Sequence, residues 1–425
     1  MHGIDKSTDS LILKKAQEVL VQAEMLVKYL EDHGFSEPDF TIHSAAYPVS
    51  REFDDIRIGI TEAARDTILL ANGPMNWLRT FFCHHHDLGA WQTALRFKYF
   101  TIVPLEGSMS VKAIAEKAGM DEDRLGRVMK LLASQQCFQE VDENVYRHTA
   151  LSAFVAREET IEAAISFQAD EMFEAASLTA TSIQQAPYES TQSYSAFNTR
   201  FGVSPYQWYT TNPDRGARFA AAMAGLAKMN NDTAELRDSF PWGGLGKQTV
   251  VDVGGGSGHI AIFLANEFPD LDFIVQDINP RMLSEGPKRL DYSPVADRVS
   301  FMCHDFFQPQ PVVTAGLFFL RQVVHNYNDE MSVKIFQSIA SAMEKCSPAP
   351  ILLINDIVLP VANTQPKVKE HHLRQIDIAM LNGYAAKQRI LKEFAHLLKQ
   401  ADERFEIVKL HGNGVMGLIE VRLHQ

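Results

Sequence analysis

Cysteine is scarce. Cys83, Cys137, Cys303 and Cys346 are four in 425 residues, and none has C-x-x-C spacing. That scatter supports neither a disulfide framework nor a zinc site, and it suits a reducing compartment. Basic side chains are also short, with 40 Lys and Arg against 53 Asp and Glu, for a formal net charge of -13. Nucleic acid and anionic membrane surfaces are both recognised through a basic face, so neither is expected as a partner. Long apolar runs are missing: no stretch reaches spanning length, and the opening MHGIDKSTDS has no signal-peptide core. A cytoplasmic location is the resulting expectation. What is present is an ordinary globular composition, 46% hydrophobic, in a chain long enough for two or three domains.

The most informative stretch is 249–259, TVVDVGGGSGH. Val250, Val251 and Val253 read as a buried strand, and Gly254, Gly256 and Gly258 as a tight turn that lets a ligand approach the main chain before a helix starts. The spacing is G-x-G-x-G and not the G-x-G-x-x-G of dinucleotide sites. Asp252 precedes the glycines, where an anion repels a pyrophosphate but can accept from an ammonium group. A second acid, Asp277, closes the next apolar run, at about the separation expected of a carboxylate on a ribose diol. Together they point to a nucleoside ligand without a pyrophosphate, and S-adenosylmethionine fits.

Ahead of this stretch, 11–33 carries an amphipathic helical pattern, 37–51 reads as a linker, and 56–71 predicts a second helix closed by Asn72-Gly73-Pro74. These arms bury little by themselves. The segment 81–99 predicts a helix that opens near His84, His85 and His86. Consecutive histidines diverge on a helix, so an exposed or capping cluster is preferred to a metal site, and no metal is expected. Residues 110–135 read as helix, glycine turn, helix, with Ser110 and Asp121 as N-caps, and 138–141 with 145–149 as a hairpin, which together predict a winged helix. The second helix sets three acids against three bases and starts acidic, which argues against reading DNA phosphates. From 161 to 238 the chain reads as helical and rich in Phe, Met and Trp. These residues, with those near 380–384, suit a pocket for an apolar, ring-containing small molecule.

After residue 250, strand patterns at 250–253, 273–277, 299–303, 317–324 and 351–357 alternate with helical ones, predicting a mostly parallel sheet covered by helices. The end of the chain, 405–410 and 415–423 around Gly412-Asn-Gly414, predicts an antiparallel hairpin.

VVDVGGGSGH, IVQDINP, CHDFF and LRQVVHNYNDE, in that order, resemble the small-molecule O-methyltransferases of plant and fungal secondary metabolism, over a stretch from about residue 96 to the C-terminus. The resemblance implies an α/β, Rossmann-like class I methyltransferase domain with a C-terminal antiparallel hairpin, joined to an N-terminal helical and winged-helix dimerisation region. The implied parts are a helical arm (1–80), a winged-helix dimerisation domain (81–160), a helical substrate wall (161–238) and a cofactor domain (239–425). It further implies a homodimer, with the arms packed on another subunit, and S-adenosylmethionine as cofactor. Asp252 with Gly254, Gly256 and Gly258 would hold its methionine part, Asp277 its ribose, Asp305 and Phe306 its adenine, and Arg321 would lie nearby. His325 matches the family's general base and Asp356 an acid that orients it, a role open to an imidazole titrating near neutrality.

One position departs from the family pattern. Many members carry Lys-Glu-Arg where this chain has Lys387-Gln388-Arg389. Gln388 can hydrogen-bond the imidazole or substrate but cannot balance a positive charge. A second expectation therefore stands beside methyl transfer: a pericyclase on the same fold, binding the cofactor but guiding a dehydration or cycloaddition through fixed charge.

Overall fold

Four helices of the N-terminal region start by the same device. Ser10, Ser50, Ser110 and Asp121 each place a side-chain oxygen on the backbone N–H three residues ahead, satisfying a donor that the first turn leaves unpaired. The structure, a computed structural model, describes residues 10–229, 232–412 and 416–424. The described residues fall into two compact units. The first runs to Glu174 and adds Trp208–Leu226 and Asn363–His371; the second comprises Ala175–Gln207, Ala227–Ala362 and the chain from His372.

In the first unit, helices Leu11–Asp32 and Arg51–Phe81 share a small core of Tyr29, Leu30, Phe53 and Ile56. The second of these differs from expectation at both ends. It begins at Arg51, capped by Ser50, and it passes through Gly73-Pro74 to Phe81. Gly73 takes φ 60°, ψ 177°, and Pro74, which needs no N–H at the start of a helical segment, lets the chain resume beyond the kink. The helix expected over 81–99 runs from His84 to Arg96, and Lys98 in a left-handed conformation separates it from the turn Tyr99–Ile102. His84, His85 and His86 are exposed in its first turn. Helices Val111–Ala118 and Glu122–Ser134 follow, joined through left-handed Gly119. Three short strands, β1 (Met109–Ser110), β2 (Phe138–Asp142) and β3 (Val145–His148), pair antiparallel in the order β1-β3-β2. A π-helical turn, Gln168–Met172, buries Asp170 and Glu171 against Arg96, Arg215 and Arg218.

The second unit is built on a sheet whose strands are β4 (Gln248–Val253), β5 (Leu271–Asp277), β6 (Val299–Cys303), β7 (Leu317–Arg321), β8 (Ile351–Leu359), β9 (Arg389–Ile390), β10 (Phe405–His411) and β11 (Met416–Leu423). The order is β10-β11-β8-β7-β4-β5-β6, with β9 paired to β8 off that path. β6, β5, β4, β7 and β8 are parallel, and β11 and β10 complete the sheet antiparallel. This is the expected class I methyltransferase arrangement. Gly414 and Val415 of the expected hairpin lie outside the described residues, as does most of the N-terminal decapeptide. β7 stops three residues short of expectation. Gln322 turns left-handed at φ 53°, and Val324–Asn326 forms a 3-10 turn. Among the described residues, no helix is long and apolar enough to cross a membrane.

Candidate active site

β4 is the middle one of the five parallel strands, β6-β5-β4-β7-β8. From it the chain proceeds outward to β5 and β6, then returns to start β7 on the other side. That reversal opens a crevice beyond the C-terminal ends of β4 and β7, where open α/β sheets bind ligands. Val250, Val251 and Val253 are buried on both faces of the sheet, and Asp252 beside them is 2% exposed. Burial raises the Asp252 carboxyl to about 7, with Asp277 adding to the rise and Arg321 opposing it.

The turn after β4 takes φ 78° at Gly254, 59° at Gly256 and 73° at Gly258. The N–H groups of Gly254 and Gly255 donate to the Gln276 carbonyl at 2.8 and 2.9 Å, which ties the turn to β5. A side chain at Gly258 would meet Phe301 at 2.8 Å, whereas at Gly256 nothing is nearer than Met282 Cε at 3.5 Å. The inner side of the turn is therefore packed and its outer side open.

Asp277 ends β5. One of its oxygens accepts from Gly256 N–H at 3.1 Å and the other from Asn279 N–H at 2.8 Å, and each retains lone-pair capacity for a diol. Asp305, two residues beyond β6, accepts from Phe307 N–H at 3.0 Å. Phe306 packs against Gly254 and sets its ring 5.7 Å from Tyr327, edge to face. Arg321 closes β7 and donates to the side chain of Asn355, which in turn donates to the Gly417 carbonyl at 3.0 Å. The open glycine turn, a carboxylate with spare acceptors and the Phe306 face fit a nucleoside carrying a cationic amino-acid tail. Asp252, Asp277, Asp305, Phe306 and Arg321 are the residues that would hold it.

His325 sits on the 3-10 turn after β7. Its Nδ1 faces Asp356 Oδ1 at 3.3 Å and Gln388 Nε2 at 3.2 Å. Asp356 lies within β8, fully buried, and neither of its oxygens completes a hydrogen bond. Burial holds its carboxyl above the ordinary range, opposed by His325 and Arg389. Gln388 is 3% exposed, donates its N–H to Asp377 at 2.8 Å, and keeps Oε1 buried without a partner. Half a turn of the amide puts that oxygen on Nδ1–H, so both neighbours can favour the tautomer protonated at Nδ1. Nε2 is then the basic nitrogen.

Several neighbours were not singled out in the sequence reading, although Tyr206 and Tyr384 lie in the segments expected to form the substrate wall. Tyr206 and Tyr384 set their rings 5.5 Å apart, and Tyr327 and Asp277 lie near enough to Tyr206 to act on its phenol. Arg389 and Asp329 join the two motifs that hold His325 and Gln388. Asp329 stood in the quoted LRQVVHNYNDE stretch, and Arg389 beside the anomalous Gln388. For Tyr206 the sequence offered no local signal.

Comparison with known proteins bears on the family and the fold. Residues 182–403 match the model of the O-methyltransferase domain, and 82–158 that of the O-methyltransferase dimerisation domain. The chain is 44% identical to O-methyltransferase sol2 of Alternaria solani, covering 100% of this chain and 98% of sol2. The crystal structure of OxaC in complex with S-adenosylhomocysteine and oxaline superposes with a TM-score of 0.78 at 22% identity, over 97% of this chain and 99% of OxaC. A structure described as a pericyclic reaction enzyme gives 0.70 at 20% identity, over 87% and 94%.

Proposed function

The chain belongs to the S-adenosylmethionine-dependent O-methyltransferases, and from that premise we propose that it methylates a hydroxyl of an apolar, ring-containing small molecule of fungal-type secondary metabolism, with His325 as general base. The observation that carries this reading is the imidazole on the turn after β7, whose Nδ1 faces Asp356 and Gln388. The bound cofactor supplies a methyl group on a cationic sulfur. His325 Nε2 would take the proton of the substrate hydroxyl as that oxygen accepts the methyl group. Asp356 fixes the tautomer and balances the imidazolium, and proximity does the rest. The ring pairs Tyr206–Tyr384 and Phe306–Tyr327 supply aromatic surface for such a substrate. As part of the same reading, the protein works as a cytosolic homodimer. Its divisions follow the helical arm (1–80), a winged-helix dimerisation domain (81–160), the substrate wall (161–238) and the cofactor domain (239–425).

A second reading is favoured by Gln388, whose neutral amide stands where the family carries an acid. In a pericyclase, the same polar groups would polarise a substrate carbonyl while the cofactor stayed intact.

The test is to incubate the purified protein with S-adenosylmethionine and a fungal metabolite extract, following S-adenosylhomocysteine and product masses together. S-adenosylhomocysteine with a product heavier by one methylene is expected, and His325→Ala should lower that turnover by about 10²–10⁴-fold. A metabolite that isomerises or loses water over unconsumed cofactor would replace methyl transfer by the pericyclic reading. Full turnover in His325→Ala would remove the base assignment.

A further inference from the structure

We infer that Arg389 is a positioning residue for His325, setting the pose of the imidazole through the backbone on either side of it. The inference rests on the reading of His325 as the general base. The segment that carries His325 has little regular structure of its own. β7 ends at Arg321, Gln322 is left-handed, and the 3-10 turn is closed by Asn326 N–H to Val323 and Tyr327 N–H to Val324, both at 3.1 Å. A single 3-10 turn with two such bonds does not fix a side chain by itself.

Arg389 supplies the missing constraint. It is 0% exposed, and all five of its N–H donors are engaged. Nη1 donates to the Val324 carbonyl at 3.2 Å and Nη2 to the Tyr327 carbonyl at 2.9 Å, so the two acceptors bracket His325. Nε and Nη2 donate to Asp329 Oδ1 at 3.0 and 2.8 Å, and the remaining Nη1 donor points to the Lys387 carbonyl at 3.5 Å. The other Asp329 oxygen takes Lys387 Nζ at 3.1 Å. A desolvated guanidinium is tolerated only while it is paired, so outward motion of the loop is resisted by the charge that motion would strand. The next residue up the chain, Gln388, faces the imidazole. One short segment thus fixes both the backbone beneath the ring and the amide beside it. Lysine cannot reproduce this, because its three donors radiate from one atom and do not form a planar fork.

A purely structural Arg389 would affect melting and nothing at the ring, so the test reads the ring. Isotope-labelled histidine in the full chain reports the imidazole tautomer by nitrogen chemical shifts, with His325 assigned by its loss in His325→Gln. The wild type is expected to show one neutral form, protonated at Nδ1. Arg389→Lys should bind S-adenosylmethionine within about twofold of wild type, yet show mixed tautomers. Amides of residues 323–328 should then exchange faster by about tenfold or more. A single unchanged tautomer in folded Arg389→Lys would overturn the inference. If that variant does not fold, Asp329→Asn removes the carboxylate from a half-exposed site, and an unchanged tautomer there overturns it equally. A tautomer that collapses in Arg389→Lys while His325→Ala retains full methyl transfer would leave the positioning role standing and remove only the base.

Discussion

Asp252 is buried inside β4 with a carboxyl raised to about 7 by loss of solvent, which Arg321 offsets only in part. The sign of the consequence is definite. Below about pH 4 the group is protonated in folded and unfolded chains alike. Between there and about pH 7 the unfolded chain gives up the proton and the folded one keeps it, so stability without cofactor falls as pH rises through that window. The full displacement corresponds to about 4 kcal/mol. A cationic amino-acid tail beside Asp252 favours the carboxylate and so expels the proton. Affinity for S-adenosylmethionine should therefore weaken by about tenfold per pH unit below about 7. Calorimetry in buffers of different ionisation enthalpy should detect one proton released on binding. Asp252→Asn should melt higher than wild type near about pH 8 while binding the cofactor more weakly, with a flat pH dependence. Binding that is flat across this range in the wild type would mean that Asp252 does not meet the ammonium group.

At the level of elements, the glycine turn makes a graded prediction. Gly256 and Gly258 both have left-handed backbones, so alanine at either costs about 1–2 kcal/mol in conformation alone. Only at Gly258 does the new methyl also drive into the core, towards Phe301 and Val275 at 2.8 and 3.0 Å. Thermal unfolding should show Gly258→Ala losing clearly more stability than Gly256→Ala. Cofactor titration should show Gly256→Ala, whose methyl faces the open side, still losing affinity. Equal melting losses would contradict the packed and open sides assigned to the turn. This turn was legible in the sequence because positive φ and close packing demand glycine there. The strands of the sheet were legible too, as β-branched and aromatic runs between breakers. The end of β7 was not, because Gln322 goes left-handed without a glycine to announce it. Nor was Gly73-Pro74 a stop, since a kink and a terminus carry the same two residues. In the candidate site, Asp252 and Asp277 were legible from the residues themselves, each an acid closing an apolar run, whereas Asp305, Arg321, His325 and Asp356 were marked only by the family resemblance. Tyr206 and Tyr384 lie in the two segments read as pocket wall, but their pairing, and the reach of Arg389, join residues far apart in the chain, and no local pattern marks such a meeting.

Across the whole molecule, the least explained surface is apolar. Leu20, Val21 and Met25 on the first helix and Ile68, Leu69 and Leu70 on the second are all more than a third exposed, beside the small core of Tyr29, Leu30, Phe53 and Ile56. Trp77 and Phe81 stack at 4.9 Å, also with large exposed faces, and lead directly into residues 82–158, the matched dimerisation domain. Exposed apolar side chains in this number mark an interaction site, and the continuity of their helices in sequence with that domain makes a second copy of the chain the expected occupant. The net charge of -13 counts against an anionic membrane as the alternative. Leu20→Lys with Ile68→Lys tests this without touching a buried residue. Each substitution falls on exposed helix surface, where the folded monomer should change by no more than about 0.5 kcal/mol. In a dimer, the introduced charges would be desolvated without partners, so association should weaken by about 10²-fold or more. Sedimentation velocity over a concentration series, beside a melting curve at low concentration, separates the two effects. Unchanged association would confine the interface to residues 82–158 and leave the arm to another partner, whereas dissociation with an intact melting transition would make the arm part of the dimer.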